Sequence, residues 1–134
     1  MIIIDASVLA NALTDDGGLG AVGRAELARD TQWAAPEHLI VEAFSAIRGR
    51  FLGSRISELR CRDALDALRS ASIEHVNTAH LLPRMWELRA NLSGYDSAYV
   101  AAAESYDCPL LTTDARLARA PGLRCEVRLA VLAG

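Results

Sequence analysis

The sequence predicts an α/β domain built on a mostly parallel sheet. Three observations carry that expectation. Short apolar runs alternate with segments whose apolar residues recur at helical spacing. Two of those runs, "IIID" and "PLLTTD", each end in an acid and lead straight into a helical segment. No linker, repeat or low-complexity tract breaks the alternation, so residues 1–134 are expected to form a single domain.

Taken in order, "IIID" reads as a short buried strand and "ASVLANAL" as the helix after it. "AVGRAELARD" suits a second helix, entered through a flexible glycine-rich "GGLG" loop. "QWAAP" reads as a strand, with Pro36 where a helix can begin. From Glu37 to about Phe51, Leu39, Ile40, Ala43, Phe44, Ile47 and Phe51 recur at helical spacing. A further helix covers about Arg55 to Ala71, with Ile56, Leu59, Ala64, Leu65 and Leu68 inward.

"IEHVN" follows as a strand. "HLLPRMWELRANL" is helical, with Pro83 tolerated in a first turn. "YDSAYVAAAES" is alanine-rich on every face, which predicts a buried helix packed close to the sheet. "CPLLTTD" is a strand ending in an acid, "ARLARA" a short helix and "CEVRLAV" the last strand.

Composition narrows the class. Hydrophobic residues make up 51% and charged residues 23%, which is globular rather than disordered. No apolar stretch approaches the roughly 20 residues that a membrane helix needs. Asp5 interrupts the N-terminal apolar run and no basic region precedes it, so a signal peptide is not expected and a cytoplasmic location is. Cys61, Cys108 and Cys125 are an odd number without a close pair, which argues against a disulfide framework or a cysteine zinc site. The net charge of −3 offers no global positive field for nucleic acid.

Four acids raise the question of function. Asp5 and Asp114 each stand at the C-terminal end of an apolar strand, the edge outside which open parallel sheets bind ligands. Each also stands where a helix N-cap belongs. Asp96 has the same ambiguity, although Ser93 is an alternative cap. Glu42 falls on the margin of an apolar helical stripe, where a helix-interior acid gains nothing from capping. Converging, Asp5, Glu42, Asp96 and Asp114 would repel one another unless a cation neutralised them. An all-oxygen set selects a hard ion, Mg²⁺ or Mn²⁺. Such an ion activates water and clamps a phosphodiester oxygen, the chemistry of metal-dependent nucleases.

Other motifs fail on inspection. Gly18, Gly20 and Gly23 satisfy G-x-G-x-x-G, but a dinucleotide fingerprint follows a strand directly and here a helix intervenes. "DASV" has Ser7 where aspartyl-nucleophile phosphatases place a second Asp. All basic residues are arginine, which excludes a receiver domain with its lysine, and no G-x-S-x-G elbow is present. His38, His75 and His80 form no H-E-x-x-H pattern and read as surface or core polar residues. Trp33 and Trp86 read as core or interface, and Tyr99 as packing, with Tyr95 near the site entrance. Arg48, Arg50, Arg55, Arg60, Arg62 and Arg69 read mainly as a solvated face paired with Glu58, Asp63 and Asp66. Arg116 is the better candidate for a phosphate near the acids.

The spacing "IIIDAS" … "PEHLIVEAFSAIR" … "YDSAYVAAAESYDCPLLTTDARL" resembles the PIN domain, specifically the VapC-type toxin ribonucleases, over nearly the whole chain. Its most specific part is the closing "YDSAYVAAAE" running into "PLLTTD". The resemblance implies a three-layer α/β/α sandwich and a Mg²⁺-dependent endoribonuclease that hydrolyses RNA phosphodiesters by metal-activated water. It also implies a VapB-type antitoxin partner and a homodimer. Asp5, Glu42 and Asp96 match the three core acidic positions and Asp114 the more variable fourth. Ser7 and Thr112 stand where small hydroxyl residues support the acids. No core acid is missing. The rival expectation is a non-catalytic RNA- or protein-binding adaptor whose acids are caps and surface charge.

Overall fold

The computed structural model describes residues 1–132. Its strands are β1 (Ile2–Ile4), β2 (Trp33–Pro36), β3 (Ile73–Val76), β4 (Leu110–Thr112) and β5 (Val127–Leu129). They form one sheet in the order β3-β2-β1-β4-β5. Every pairing is parallel, so the mostly parallel sheet expected from the alternation is wholly so. The chain steps outward from β1 through β2 to β3, then returns to the other side of β1 for β4 and β5. The order reverses between β1 and β4, and the C-terminal ends of those strands open the crevice where ligands of such sheets bind.

Helices flank the sheet: α1 (Ala6–Thr14), α2 (Gly18–Leu27), α3 (Leu39–Leu52), α4 (Glu58–Ser70), α5 (Leu82–Glu87), α6 (Gly94–Ser105) and α7 (Ala115–Ala118). A 3₁₀ turn at Thr78–Leu81 leads into α5. Ile2, Ile3 and Ile4 are fully buried, as a central strand covered on both faces requires. Burying each such side chain contributes about 1.5–3 kcal/mol. Helix α6 packs on β1 and β2 with Ser97 to Ala103 all buried, and its alanines let the helix backbone approach the strands.

Several elements depart from expectation. Helix α2 starts at Gly18, so "GGLG" is its first turn rather than a flexible loop. The Asp15 carboxylate accepts hydrogen bonds from the amides of Gly17 and Gly20, at 3.1 and 2.7 Å, and satisfies donors that a helix start leaves open. A Cβ on Gly20 would lie 1.9 Å from the Asp15 carbonyl oxygen, so glycine there allows α2 to press against the end of α1. Pro36 closes β2, paired with Val76, instead of opening a helix. Two residues then turn the chain, and α3 begins at Leu39. Glu42 therefore lies in the first turn of α3 and not in a helix interior.

Helix α3 buries only the stripe Leu39, Ala43 and Ile47, which leaves Phe44 and Phe51 exposed although they were expected inward. Leu59, also expected inward, is 69% exposed in the first turn of α4. The helix expected to run through Leu92 ends at Glu87, and Trp86 at its end is 67% exposed, which removes the core from its two expected places and leaves the interface. Trp33 is partly buried as expected, its indole donating to the carbonyls of Leu27 and Asp30. Four of the six arginines between Arg48 and Arg69 divide into two pairs. Arg62 pairs with Glu58 at 3.2 Å and Arg69 with Asp66 at 4.0 Å along α4. Arg50 instead donates to Thr14 and Asn11 of α1, and Arg60 reaches the Leu13 carbonyl and Asp16.

Candidate active site

Strand β1 carries Asp5 to the switch point. The Asp5 amide donates to the Leu111 carbonyl at 3.0 Å, which fixes the residue beside the end of β4. Its carboxylate does two things at once. Oδ1 accepts from the Ser7 amide at 2.9 Å, capping α1, while Oδ2 accepts from the Thr112 hydroxyl at 2.6 Å. Capping and site assembly, rival readings in the sequence, are both realised by one side chain.

Thr112 is fully buried at the end of β4. Its hydroxyl donates to Asp5 and accepts from the Asp114 amide at 3.1 Å, so one oxygen ties the two acidic loops together. The next hydroxyl along, Thr113, donates to Ser7 Oγ at 2.9 Å and doubles the link. Thr113 escaped the sequence reading, although the doubled threonine in "LLTTD" was its available signal.

Asp114 caps α7, accepting from the Arg116 amide at 2.9 Å. Burial pushes its carboxyl up, but the Arg116 amide and guanidinium and the Leu117 amide outweigh burial and hold it below the usual range. The Arg116 side chain is 88% exposed and approaches Asp114 at 3.5 Å. Ser93, not Asp96, caps α6, its hydroxyl accepting from the Asp96 amide at 3.1 Å. That frees the Asp96 carboxylate from helix capping. Burial raises its pKa most, and the negative charges of Asp5 and Asp114 raise it further, against smaller opposing effects of Ser93 and Arg116. Asp96 therefore feels both Asp5 and Asp114.

Glu42 joins from α3. Its Oε1 accepts from the buried Tyr99 hydroxyl at 2.8 Å, and Tyr99 lies one turn beyond Asp96 on α6. Burial pushes the Tyr99 hydroxyl far above its ordinary pKa, with the Glu42 hydrogen bond and the charges of Glu42 and Asp5 adding to it. It is therefore a permanent neutral donor. His38 packs edge-on against Tyr95 and Tyr99, and its Nε2 lies 3.2 Å from Glu42 Oε1. That approach lacks hydrogen-bond alignment, and the buried Nε2 has no partner among the described residues. Sequence reading treated Tyr99 as packing and His38 as an ordinary polar residue; nothing in linear spacing brings either to Glu42.

Among the described residues no three His, Cys, Asp or Glu side chains already stand together as a metal-ligand set. Asp5 and Glu42 are instead turned toward Ser7, Thr112 and Tyr99. The donor chemistry nevertheless fits a hard cation. All four acids offer only carboxylate oxygen, and the repulsion from Asp5 and Asp114 that adds to burial in raising Asp96 is what a cation relieves.

Fold and site together define a parallel α/β domain with an acidic site at its topological switch point. A model of the PIN domain matches residues 2–123, and the chain belongs to that family. It is 40% identical over 128 residues to Ribonuclease VapC1 of Mycobacterium tuberculosis, covering 95% of this chain and 96% of that protein. VapC ribonuclease Mb0985 of Mycobacterium bovis is 34% identical over 127 residues, with coverage of 95% and 96%. Among solved structures, VapC20 of Mycobacterium tuberculosis, described as a sarcin-ricin loop cleaving toxin, superposes with a TM-score of 0.66 at 19% identity, covering 92% of this chain and 96% of that one. PAE2754 of Pyrobaculum aerophilum gives 0.63 at 23% identity, covering 88% and 84%. The chain is thus a PIN-domain protein of the VapC ribonuclease group.

Proposed function

We propose that this chain is the endoribonuclease toxin of a toxin–antitoxin pair, cutting RNA phosphodiesters at the switch point between β1 and β4. The observation that carries the reading is the Thr112 hydroxyl joining Asp5 to the Asp114 loop, with Asp96 in electrostatic reach of both acids. Relatives named as ribonucleases over nearly the whole chain support it.

In this proposal Asp5, Glu42 and Asp96 hold Mg²⁺ or Mn²⁺, and Asp114 completes the cluster. When bound, the cation neutralises the acids and makes water a competent nucleophile at neutral pH. Thr112 fixes the Asp5 carboxylate and Ser7 supports it through its amide. Tyr99 occupies Glu42 Oε1, which leaves Oε2 without that constraint. Arg116, exposed beside Asp114, meets a substrate phosphate. Water is the nucleophile, so no covalent enzyme intermediate forms. A VapB-type antitoxin is the proposed inhibitor and a homodimer the proposed assembly, in the cytoplasm, with the chain acting as a single domain. No helix among the described residues is long and apolar enough to cross a membrane.

The test is cleavage of a mixed cellular RNA pool by purified protein with Mg²⁺, with EDTA, and with Asp5→Asn. Discrete fragments that require both the metal and Asp5 are expected. RNA or protein binding that is indifferent to EDTA and to Asp5→Asn, without cleavage, would establish the adaptor instead.

A further inference from the structure

Two neighbouring hollows lie on the side of the site formed by α5, α6 and α7. One, of about 370 Å³, is lined by Ser93, Asp96, Asp114 and Arg116 and so borders the acids directly. The other, of about 300 Å³, is lined by Leu82, Met85, Trp86, Arg89 and Gly94. Leu92 lines both, so the two hollows are neighbours that share part of one wall.

The second hollow has an unusual wall. Trp86 is 67% exposed, and the Arg89 guanidinium lies 4.0 Å from its ring centroid. Arg89 is held there by donating to the Trp86 carbonyl at 2.8 Å. One indole face is thus covered by a cation, while Trp86 as a whole stays largely exposed. A cation beside a bare aromatic surface is what a nucleotide requires, since the base needs a π-face and its phosphate a positive charge. Arg116, exposed and 3.5 Å from Asp114, supplies a second positive charge in the hollow beside the acids. The overall net charge is −3, so this pairing of arginines and indole is local.

We propose that Trp86 and Arg89 form a base-stacking subsite for an unpaired nucleotide flanking the scissile phosphate, reached from the acids over Leu92. The inference rests on the nuclease reading and specifies it. The substrate presents a splayed, single-stranded base a short distance from the bond that is cut, as loops and unpaired ends do and continuous duplex does not. An exposed indole also fits a contact with a second copy of the chain, and the test separates the two.

The experiment uses the full chain carrying Asp5→Asn, to prevent cleavage, and Trp33→Phe, so that Trp86 is the sole tryptophan. The probe is a labelled single-stranded RNA dodecamer of mixed sequence. Trp86 fluorescence is expected to be quenched, saturating at the concentrations where the RNA anisotropy saturates. With Asp5 and Trp33 restored, Trp86→Ala is expected to raise KM about ten-fold with kcat within about two-fold, and Trp86→Phe to recover part of the loss. RNA that binds without quenching overturns the subsite. So does a Trp86→Ala protein that changes its oligomeric state in sedimentation while its KM stays unchanged. Neither result touches the nuclease reading, which fails if the parent protein does not cleave RNA or if cleavage is independent of the metal or of Asp5.

Discussion

The buried Tyr99 hydroxyl on α6 donates a 2.8 Å hydrogen bond to Glu42 on α3, joining the helix that carries Asp96 to the helix that carries Glu42. The partners stand 57 residues apart. Tyr99→Phe keeps the ring in place and removes the donor. Stability is expected to fall by about 1 kcal/mol in urea unfolding, because Glu42 retains some access to water. RNA cleavage is expected to fall by about ten-fold, the scale seen when the partner of a metal-binding side chain is lost. Unchanged cleavage would show that Glu42 needs no such anchor.

Asp5→Asn separates the two duties of Asp5. Asparagine caps helices as well as aspartate does, so the fold is expected to survive with a melting temperature within a few degrees of the parent. The charge is gone, and cleavage is expected to drop by about 10³-fold or more. An active Asp5→Asn protein would reduce the residue to a cap.

Asp30 gives a pH signature away from the site. The Arg128 hydrogen bond, 2.7 Å long, lowers its pKa most; burial opposes it, and the Arg128 charge and the N-terminal amino group add to the lowering. The folded carboxyl thus titrates below its unfolded value of 3.8. As pH falls through 3.8 the unfolded chain takes up the proton first, so stability declines until the folded group is also protonated. The contribution is complete above the unfolded pKa. Asp30→Asn is expected to be less stable at neutral pH and to show a shallower loss below pH 4, measured by urea unfolding across the acid range. Parallel acid profiles for both proteins would refute the assignment.

Two glycines make a paired test. At Gly20 a methyl group meets the Asp15 carbonyl, and Gly20→Ala is expected to cost about 2–3 kcal/mol. At Gly49, inside α3, nothing lies within 4 Å of an added Cβ. Gly49→Ala is expected to stabilise by about 0.5–1 kcal/mol through backbone entropy. Denaturant midpoints shifting in opposite directions would bear out the close α1–α2 approach, and equal shifts would deny it.

The strands, their alternation with helices and the acids at their ends were legible in the chain. Burial on both faces of β1 demands an unbroken apolar run, and Asp5 ends it visibly. The alanines of α6 announced a helix pressed on the sheet for the same reason. Leu59 and Phe44 were misjudged because helical spacing identifies an apolar stripe without saying where the neighbouring helix stops covering it. The start of α3 was placed two residues early, which put Glu42 in a helix interior, since the length of chain needed to leave β2 for α3 is set by packing and not by the position of Pro36.

What the sequence determined by itself was the inventory: an α/β alternation and the acids delivered by its strands and helix starts. That part depends on periodicity and capping, which act over a few residues. Tertiary structure alone decided the strand order that sets Asp5 beside Thr112, the frame in which Tyr99 meets Glu42, and which of two candidate residues caps α6. Those contacts join residues as far as 107 positions apart. They follow from how whole helices settle on the sheet, a condition satisfied over the entire core at once and written at no single position.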